Sequence, residues 1–105
     1  MIHLLPSFHA LCGHGVTINI KSNKITISGD KSFLVSLDLQ PIQHNKALVI
    51  NALPHGVDIT PRLIVSAIED YQERVTVLMQ DDHLSRLEAE NRAFFGIRGY
   101  INNAL

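Results

Sequence analysis

Apolar and polar residues alternate along residues 16–28. Residues 16–21 and residues 24–28 each place their apolar side chains on one face of an extended segment, which is typical of half-buried strands. Ser22 and Asn23 separate the two segments and form a two-residue turn, although the glycine that favours such a turn is absent. The pattern therefore predicts a β-hairpin.

Two further strands are predicted before residue 54. Residues 33–39 alternate again, after a segment with the composition of a turn (Gly29–Ser32), and Pro41 closes them. Their inward face would consist of Phe33, Val35, Leu37 and Leu39. Ala47–Leu53 is a nearly continuous apolar run, as expected of a strand buried on both faces.

A strong helix start lies at Thr60. The hydroxyl of Thr60 is suited to accept a hydrogen bond from a free amide of the first turn. Pro61 falls at the first helical position, where no amide donor is needed. Ile59 and Ile64 have the spacing of a hydrophobic staple. One apolar stripe follows at helical spacing: Ile64, Ile68, Tyr71, Val75 and Leu78.

The helical pattern breaks near residues 80–83 and then resumes. A second stripe consists of Leu84, Leu87, Asn91 and Phe94. Asp81 or Asp82 is suited to cap a second helix, and Ser85–Glu88 also fits a capping box.

Two points in this half of the chain stay open. The second helix can end at Gly96 or, later, at Gly99, because glycine favours the residue after a helix end. Residues 74–79 contain β-branched side chains, so a strand there is an alternative to the helix.

Together these patterns predict the α+β class: a three- or four-stranded, mainly antiparallel sheet followed by two C-terminal helices. The sheet would occupy residues 16–53 and the helices residues 60–95, in a single domain of residues 1–105. Residues 1–15 fit a short strand, a single turn or a helix equally well, because Pro6 and the glycines near residue 14 shorten any element there.

The bulk composition excludes few classes of function. The net charge of −1 gives no overall field that attracts nucleic acid or an acidic membrane. Cys12 is the only cysteine, so no intramolecular disulfide is possible. The N-terminus lacks the features of a signal peptide, and no apolar run reaches the length of a membrane span. We therefore expect a soluble, cytoplasmic protein without a membrane partner.

Residues with catalytic or metal-binding chemistry are few. His9, Cys12 and His14 are the only cluster with the residue types that bind zinc, and a thiolate–imidazole pair there would suit a small metal- or thiol-dependent enzyme. The cluster lacks a second ligand pair at recognised spacing, and Cys12 is more typical of a small buried apolar residue. Asp81 and Asp82, beside a histidine, are better explained as a helix cap. We predict no metal site, no cofactor and no catalytic residue.

A second hypothesis is a nucleic-acid-binding accessory protein. Lys21 and Lys24 flank the predicted hairpin turn, and Lys31 and Arg98 are further bases that would contact phosphate. Lysines are also common on exposed sheet edges, where they prevent aggregation.

The leading hypothesis is a non-catalytic protein-binding or regulatory module that forms a homodimer through its helices. Small phage or bacterial inhibitors of host machinery have this profile. The predicted interaction residues are Tyr71, Leu84, Leu87, Phe94, Phe95 and Tyr100. The helices are apolar over more than one face, and a small sheet can cover only one of them. The alternative is that the N-terminal segment folds back and covers the second face within one chain.

Overall fold

The N-terminal segment is helical in the computed structural model, which describes residues 1–105. A 3-10 turn (Ile2–Leu4) leads directly into α1 (Leu5–Ala10). Pro6 lies in the first turn of α1, where its missing amide donor leaves no hydrogen bond unmade. This settles the choice that the sequence pattern left open for residues 1–15.

The predicted hairpin is present. β1 (Thr17–Lys21) and β2 (Lys24–Ser28) pair in an antiparallel ladder. Ser22 and Asn23 both have positive φ, at 52° and 59°, which is the left-handed conformation that a type I′ turn requires at its two central residues. Asparagine tolerates this conformation better than most residues, so the turn forms without glycine.

The third predicted strand is wrong, because these residues begin with a helix, α2 (Lys31–Val35). The carboxylate of Asp30 caps α2 by accepting hydrogen bonds from the backbone amides of Ser32 and Phe33, at 2.8 Å and 3.3 Å. The alternating apolar residues do not form one buried face, since the side chain of Val35 is 86% exposed.

The fourth predicted strand is also helical. α3 (Gln40–His44) has Pro41 in its first turn, so this proline starts a helix instead of closing a strand. α4 (Lys46–Ala52) contains most of the apolar run. Its buried residues are Val49, Ile50 and Ala52, and Leu53, directly after the helix, is also fully buried. A short apolar run has no periodicity that separates a buried strand from a buried helix.

α5 (Pro61–Asp81) begins where the sequence predicts and runs through residues 74–79 without a strand. Thr60 occupies the N-cap position, but its hydroxyl makes no capping hydrogen bond. The backbone carbonyl of Thr60 accepts from the amide of Leu63 at 3.1 Å instead. The predicted stripe is buried at Ile64, Ile68, Tyr71 and Val75, and Leu78 is half-buried.

The predicted break separates α5 from α6 (Arg86–Ala104). His83 has a φ of 54° in this connection. Ser85 caps α6, because its hydroxyl accepts a hydrogen bond from the backbone amide of Glu88 at 3.3 Å. This is the cap that the Ser85–Glu88 motif predicts.

Three finer predictions for α6 are wrong. Neither Asp81 nor Asp82 caps the helix, because Ser85 takes that position. Gly96 and Gly99 lie inside α6 and do not end it, so the helix continues about two turns beyond the predicted end at residue 95. Both glycines keep ordinary negative φ.

The core is one cluster of 23 apolar residues, and it contains no buried polar or charged side chain. α5 lies in the middle of this arrangement, with α6 along one side and α1 along another. The α+β class is confirmed, but the sheet has two strands instead of three or four and occupies only residues 17–28. None of the helices combines the length and the apolar character that crossing a bilayer requires.

Candidate functional site

The candidate site is the outer face of α6, and it follows from how this helix packs. The residues of α6 that are buried recur every four positions: Ala89, Ala93, Ile97 and Ile101. Two of these are alanines, so the N-terminal half of α6 lies against the core with small side chains. The larger apolar residues of that half are therefore left on other faces of the helix.

Leu87 and Phe95 are the most exposed of these larger residues. Their side chains are 69% and 80% exposed. Phe94 is half-buried, and its ring meets that of Phe95 edge to face, with centroids 6.0 Å apart at 78°. These three predicted interaction residues form a group on α6 that we call the α6 apolar face: Leu87, Phe94 and Phe95.

The other predicted interaction residues lie elsewhere. Tyr71 is 6% exposed and belongs to the core. Leu84 is half-buried in the connection before α6. Tyr100 is half-buried and borders a separate cleft of about 430 Å³, next to Arg74 and Gly96. The structure therefore brings together three of the six residues.

Burial raises the pKa of the Tyr71 phenol. The negative charge of Glu90 raises this pKa further, whereas the positive charge of Arg86 opposes the shift. Arg86 and Glu90 also form a salt bridge with each other, with an Nε–Oε1 distance of 3.0 Å. Such an exposed pair one turn apart contributes little to stability.

Three charged residues of α6 stay outside any salt bridge: Glu88, Arg92 and Arg98. Glu88 is exposed near the start of the helix, and Arg98 is exposed ten residues later. One guanidinium nitrogen of Arg98 donates to the backbone carbonyl of Asn51 at 2.6 Å, which fixes this side chain against α4. Sequence reasoning missed Glu88 as a candidate, because its only visible signal was the capping motif.

The histidine and cysteine cluster has no metal-binding arrangement. No group of three His, Cys, Asp or Glu side chains is placed to hold a metal ion. The thiol of Cys12 donates to the backbone carbonyl of Phe8, at 3.6 Å from the sulfur. The ring of His14 stacks on Phe33, with centroids 3.8 Å apart, and His9 is exposed at the end of α1.

The basic residues of the nucleic-acid hypothesis are only partly grouped. Lys21 and Lys24 lie directly opposite each other in the β1–β2 ladder. Lys31 follows the far end of β2, and Arg98 is on α6. A further base, Lys46, lies in a groove with Lys24; the sequence analysis missed it because the residues after Lys46 were assigned to a strand.

Comparison with known proteins adds no assignment to these surfaces. No family model matches the chain, and neither does any curated protein or solved structure.

Proposed function

We propose that this chain is a non-catalytic protein-binding module that forms a homodimer through the α6 apolar face. The observation that carries the proposal is the exposure of Leu87 and Phe95 on the same helix, at 69% and 80%. Burying such side chains against a second copy removes apolar surface from water and stabilises the dimer. Twofold dimers are the commonest arrangement in which one patch covers itself.

The charges of α6 favour an antiparallel arrangement of the two helices. Glu88 and Arg98 are ten residues apart, which is about 15 Å along a helix. A twofold axis at the level of Ala93 places Glu88 of each copy beside Arg98 of the other, because the two residues are five positions to either side. Opposite charges then meet at both ends of the interface, and the same axis brings the two Phe95 side chains to its centre.

In this proposal the dimer acts by binding another protein and regulating it. The proposed activity is that of a small phage or bacterial inhibitor of host machinery. The mixed surface charge supports a protein partner more than a polyanion, since the net charge is −1.

Sedimentation equilibrium at micromolar concentrations tests the dimer. We expect the average mass of the wild-type protein to rise from one chain towards two as the concentration increases. Phe95→Glu and Leu87→Glu should keep the mass of one chain, because each would bury a carboxylate without a partner. Val35→Glu is the matched control: Val35 is 86% exposed on α2, so its replacement should leave self-association unchanged.

Charge exchange tests the antiparallel arrangement separately. Glu88→Arg alone and Arg98→Glu alone should weaken the dimer, because each brings like charges together. The double exchange should dimerise more tightly than either single variant, although Arg98→Glu also removes the hydrogen bond to the carbonyl of Asn51. A wild-type mass of one chain at every concentration would refute the dimer, and a double exchange as weak as the single variants would refute the antiparallel arrangement.

A further inference from the structure

The outer edge of β2 carries backbone groups that have no partner in the chain. In a hairpin with a two-residue turn, Lys21 and Lys24 form the first hydrogen-bonded pair, and hydrogen-bonded and non-hydrogen-bonded pairs then alternate along the ladder. Ile25 and Ile27 fall in non-hydrogen-bonded pairs, so their amide and carbonyl groups point away from β1. None of these four groups makes a hydrogen bond elsewhere in the chain.

On the opposite edge of the hairpin, most outward backbone groups of β1 do find hydrogen-bond partners in the chain. On β1, the outward groups belong to Ile18 and Ile20 by the same rule. The amide and carbonyl of Ile18 exchange two hydrogen bonds of 2.8 Å with Ile59, and the carbonyl of Ile20 accepts from Gly56 at 2.8 Å. Three of the four outward groups of β1 are therefore paired, whereas all four outward groups of β2 are free.

A groove of about 530 Å³ runs along this free edge. Residues 24–27 form one wall, and because consecutive residues line it, the strand presents its edge to the groove. The other wall comes from α3, from α4 and from the residue before α3: Leu39, Ile42, Gln43 and Lys46. Half of the eight lining residues are apolar, as in a site for alternating side chains.

The charge of the groove is positive. Lys24 and Lys46 are its only charged residues, both are exposed, and neither forms a salt bridge. Lys21 lies directly across the ladder from Lys24, and two like charges in this position destabilise a hairpin. An anion bound here would relieve that repulsion.

We propose that the groove binds an extended, acidic peptide segment of a partner protein, which adds to β2 as a third strand. The peptide backbone would form hydrogen bonds with the free amide and carbonyl groups of Ile25 and Ile27. Its alternate apolar side chains would pack on Leu39, which is half-buried, and its carboxylates would lie near Lys24 and Lys46. A nucleic acid is disfavoured, because its phosphate backbone accepts hydrogen bonds but cannot donate them to the two carbonyls.

Selection from a random heptapeptide display library tests the class of ligand. The wild-type protein should enrich peptides that combine β-branched residues with Asp or Glu. The double variant Lys24→Glu/Lys46→Glu should instead enrich Lys or Arg at the same peptide positions. Circular dichroism checks that this variant is folded; should it fail to fold, Lys24→Gln/Lys46→Gln should lose the preference for acids. No enrichment by the wild-type protein, or the same consensus in both proteins, would overturn the proposal.

Amide NMR with the most enriched peptide tests the binding mode. The amides of Ile25 and Ile27 should exchange rapidly with solvent in the free protein and become protected in the complex. N-methylation of the peptide at residues that face β2 should weaken binding at least tenfold, whereas N-methylation at the alternate residues should not. Equal effects of the two methylation patterns, or unchanged exchange of the two isoleucine amides, would contradict strand addition.

Two further measurements separate this site from the other hypotheses. Phe95→Glu should bind the peptide as tightly as the wild-type protein, because the α6 apolar face lies on another element; a loss of peptide binding would refute a separate groove site. Oligothymidylate should fail to displace the peptide, and displacement would favour a polyanion in place of a peptide strand.

Discussion

α5 and α6 have comparable lengths and similar apolar patterns, yet the apolar stripe predicted from the sequence is buried in α5 and largely not in α6. In α5 the predicted stripe is the buried face, with Ile64 and Ile68 fully enclosed. In α6 the predicted stripe is not the buried face. Leu87 is 69% exposed, and the helix packs through a line of residues that begins with Ala89 and Ala93.

The difference follows from the neighbours of each helix. α5 is covered by α1 on one side and by α6 on another, so the N-terminal segment does cover an apolar face of α5 within one chain. α6 has α5 along its length and α4 beside part of it. Leu87 and Phe95 are left without cover. An amphipathic pattern therefore shows that a face will be buried by something, but not whether the cover is in the same chain.

The largest expected effect on stability comes from shortening one apolar side chain in each of the two predicted stripes. Ile68→Ala should lower the free energy of unfolding by about 2–5 kcal/mol, because it opens a cavity in a fully buried part of α5. Leu87→Ala should change it by no more than about 0.5 kcal/mol under conditions where the protein is monomeric, as is usual for exposed positions. Urea unfolding, followed by circular dichroism, measures both. A similar loss in both variants would show that Leu87 is covered within the chain.

Local patterns predicted the hairpin and the helix start at Thr60 correctly, because the signals there are local and agree with one another. The alternation in β1 and β2 is enclosed by a turn that Ser22 and Asn23 can adopt. The two false strands failed for a different reason. Residues 33–39 and 47–53 carry patterns that fit both a strand and a helix. The first segment begins as a helix because Asp30 caps α2.

The candidate sites were less predictable than the fold. Phe95 was selected because it lies off the apolar stripes, and its exposure is consistent with that argument. Tyr71 was selected from the stripe itself, which proved to be core. The groove at β2 depends on α3 and α4, and a sequence interpretation that makes residues 47–53 a strand cannot place Lys46 opposite Lys24.

Substitutions at the N-caps of α5 and α6 should have a smaller effect on the free energy of unfolding, and the two variants can be compared directly. Ser85→Ala should lower the free energy of unfolding by about 1 kcal/mol, since the hydroxyl of Ser85 accepts a hydrogen bond from the amide of Glu88. Thr60→Ala should cost less than about 0.5 kcal/mol, the lower end of the range for losing a capping hydrogen bond, because the hydroxyl of Thr60 makes no such bond. The same urea experiments test both. A loss at Thr60 equal to that at Ser85 would show that its hydroxyl caps α5 in solution.

The smallest effect is the change of stability with pH that Tyr71 causes, which begins only in the alkaline range. Burial and the charge of Glu90 raise the pKa of this phenol above its ordinary value of about 10. The folded protein therefore keeps the proton at pH values where the unfolded chain releases it. The stability that Tyr71 contributes is complete below pH 10 and is lost as the pH rises through the folded-state pKa.

The variant Tyr100→Phe isolates this titration, because it leaves Tyr71 as the only tyrosine in a chain without tryptophan. The ultraviolet absorbance of the phenolate should develop above the ordinary tyrosine pKa while circular dichroism still shows a folded protein. Adding Glu90→Gln should lower the pKa only part of the way, since burial is the larger cause, and adding Arg86→Gln should raise it. If Tyr71 titrates with its ordinary pKa in the folded protein, water reaches the interface between α5 and α6. The contrast between a covered α5 and an exposed α6 would then be wrong at this point.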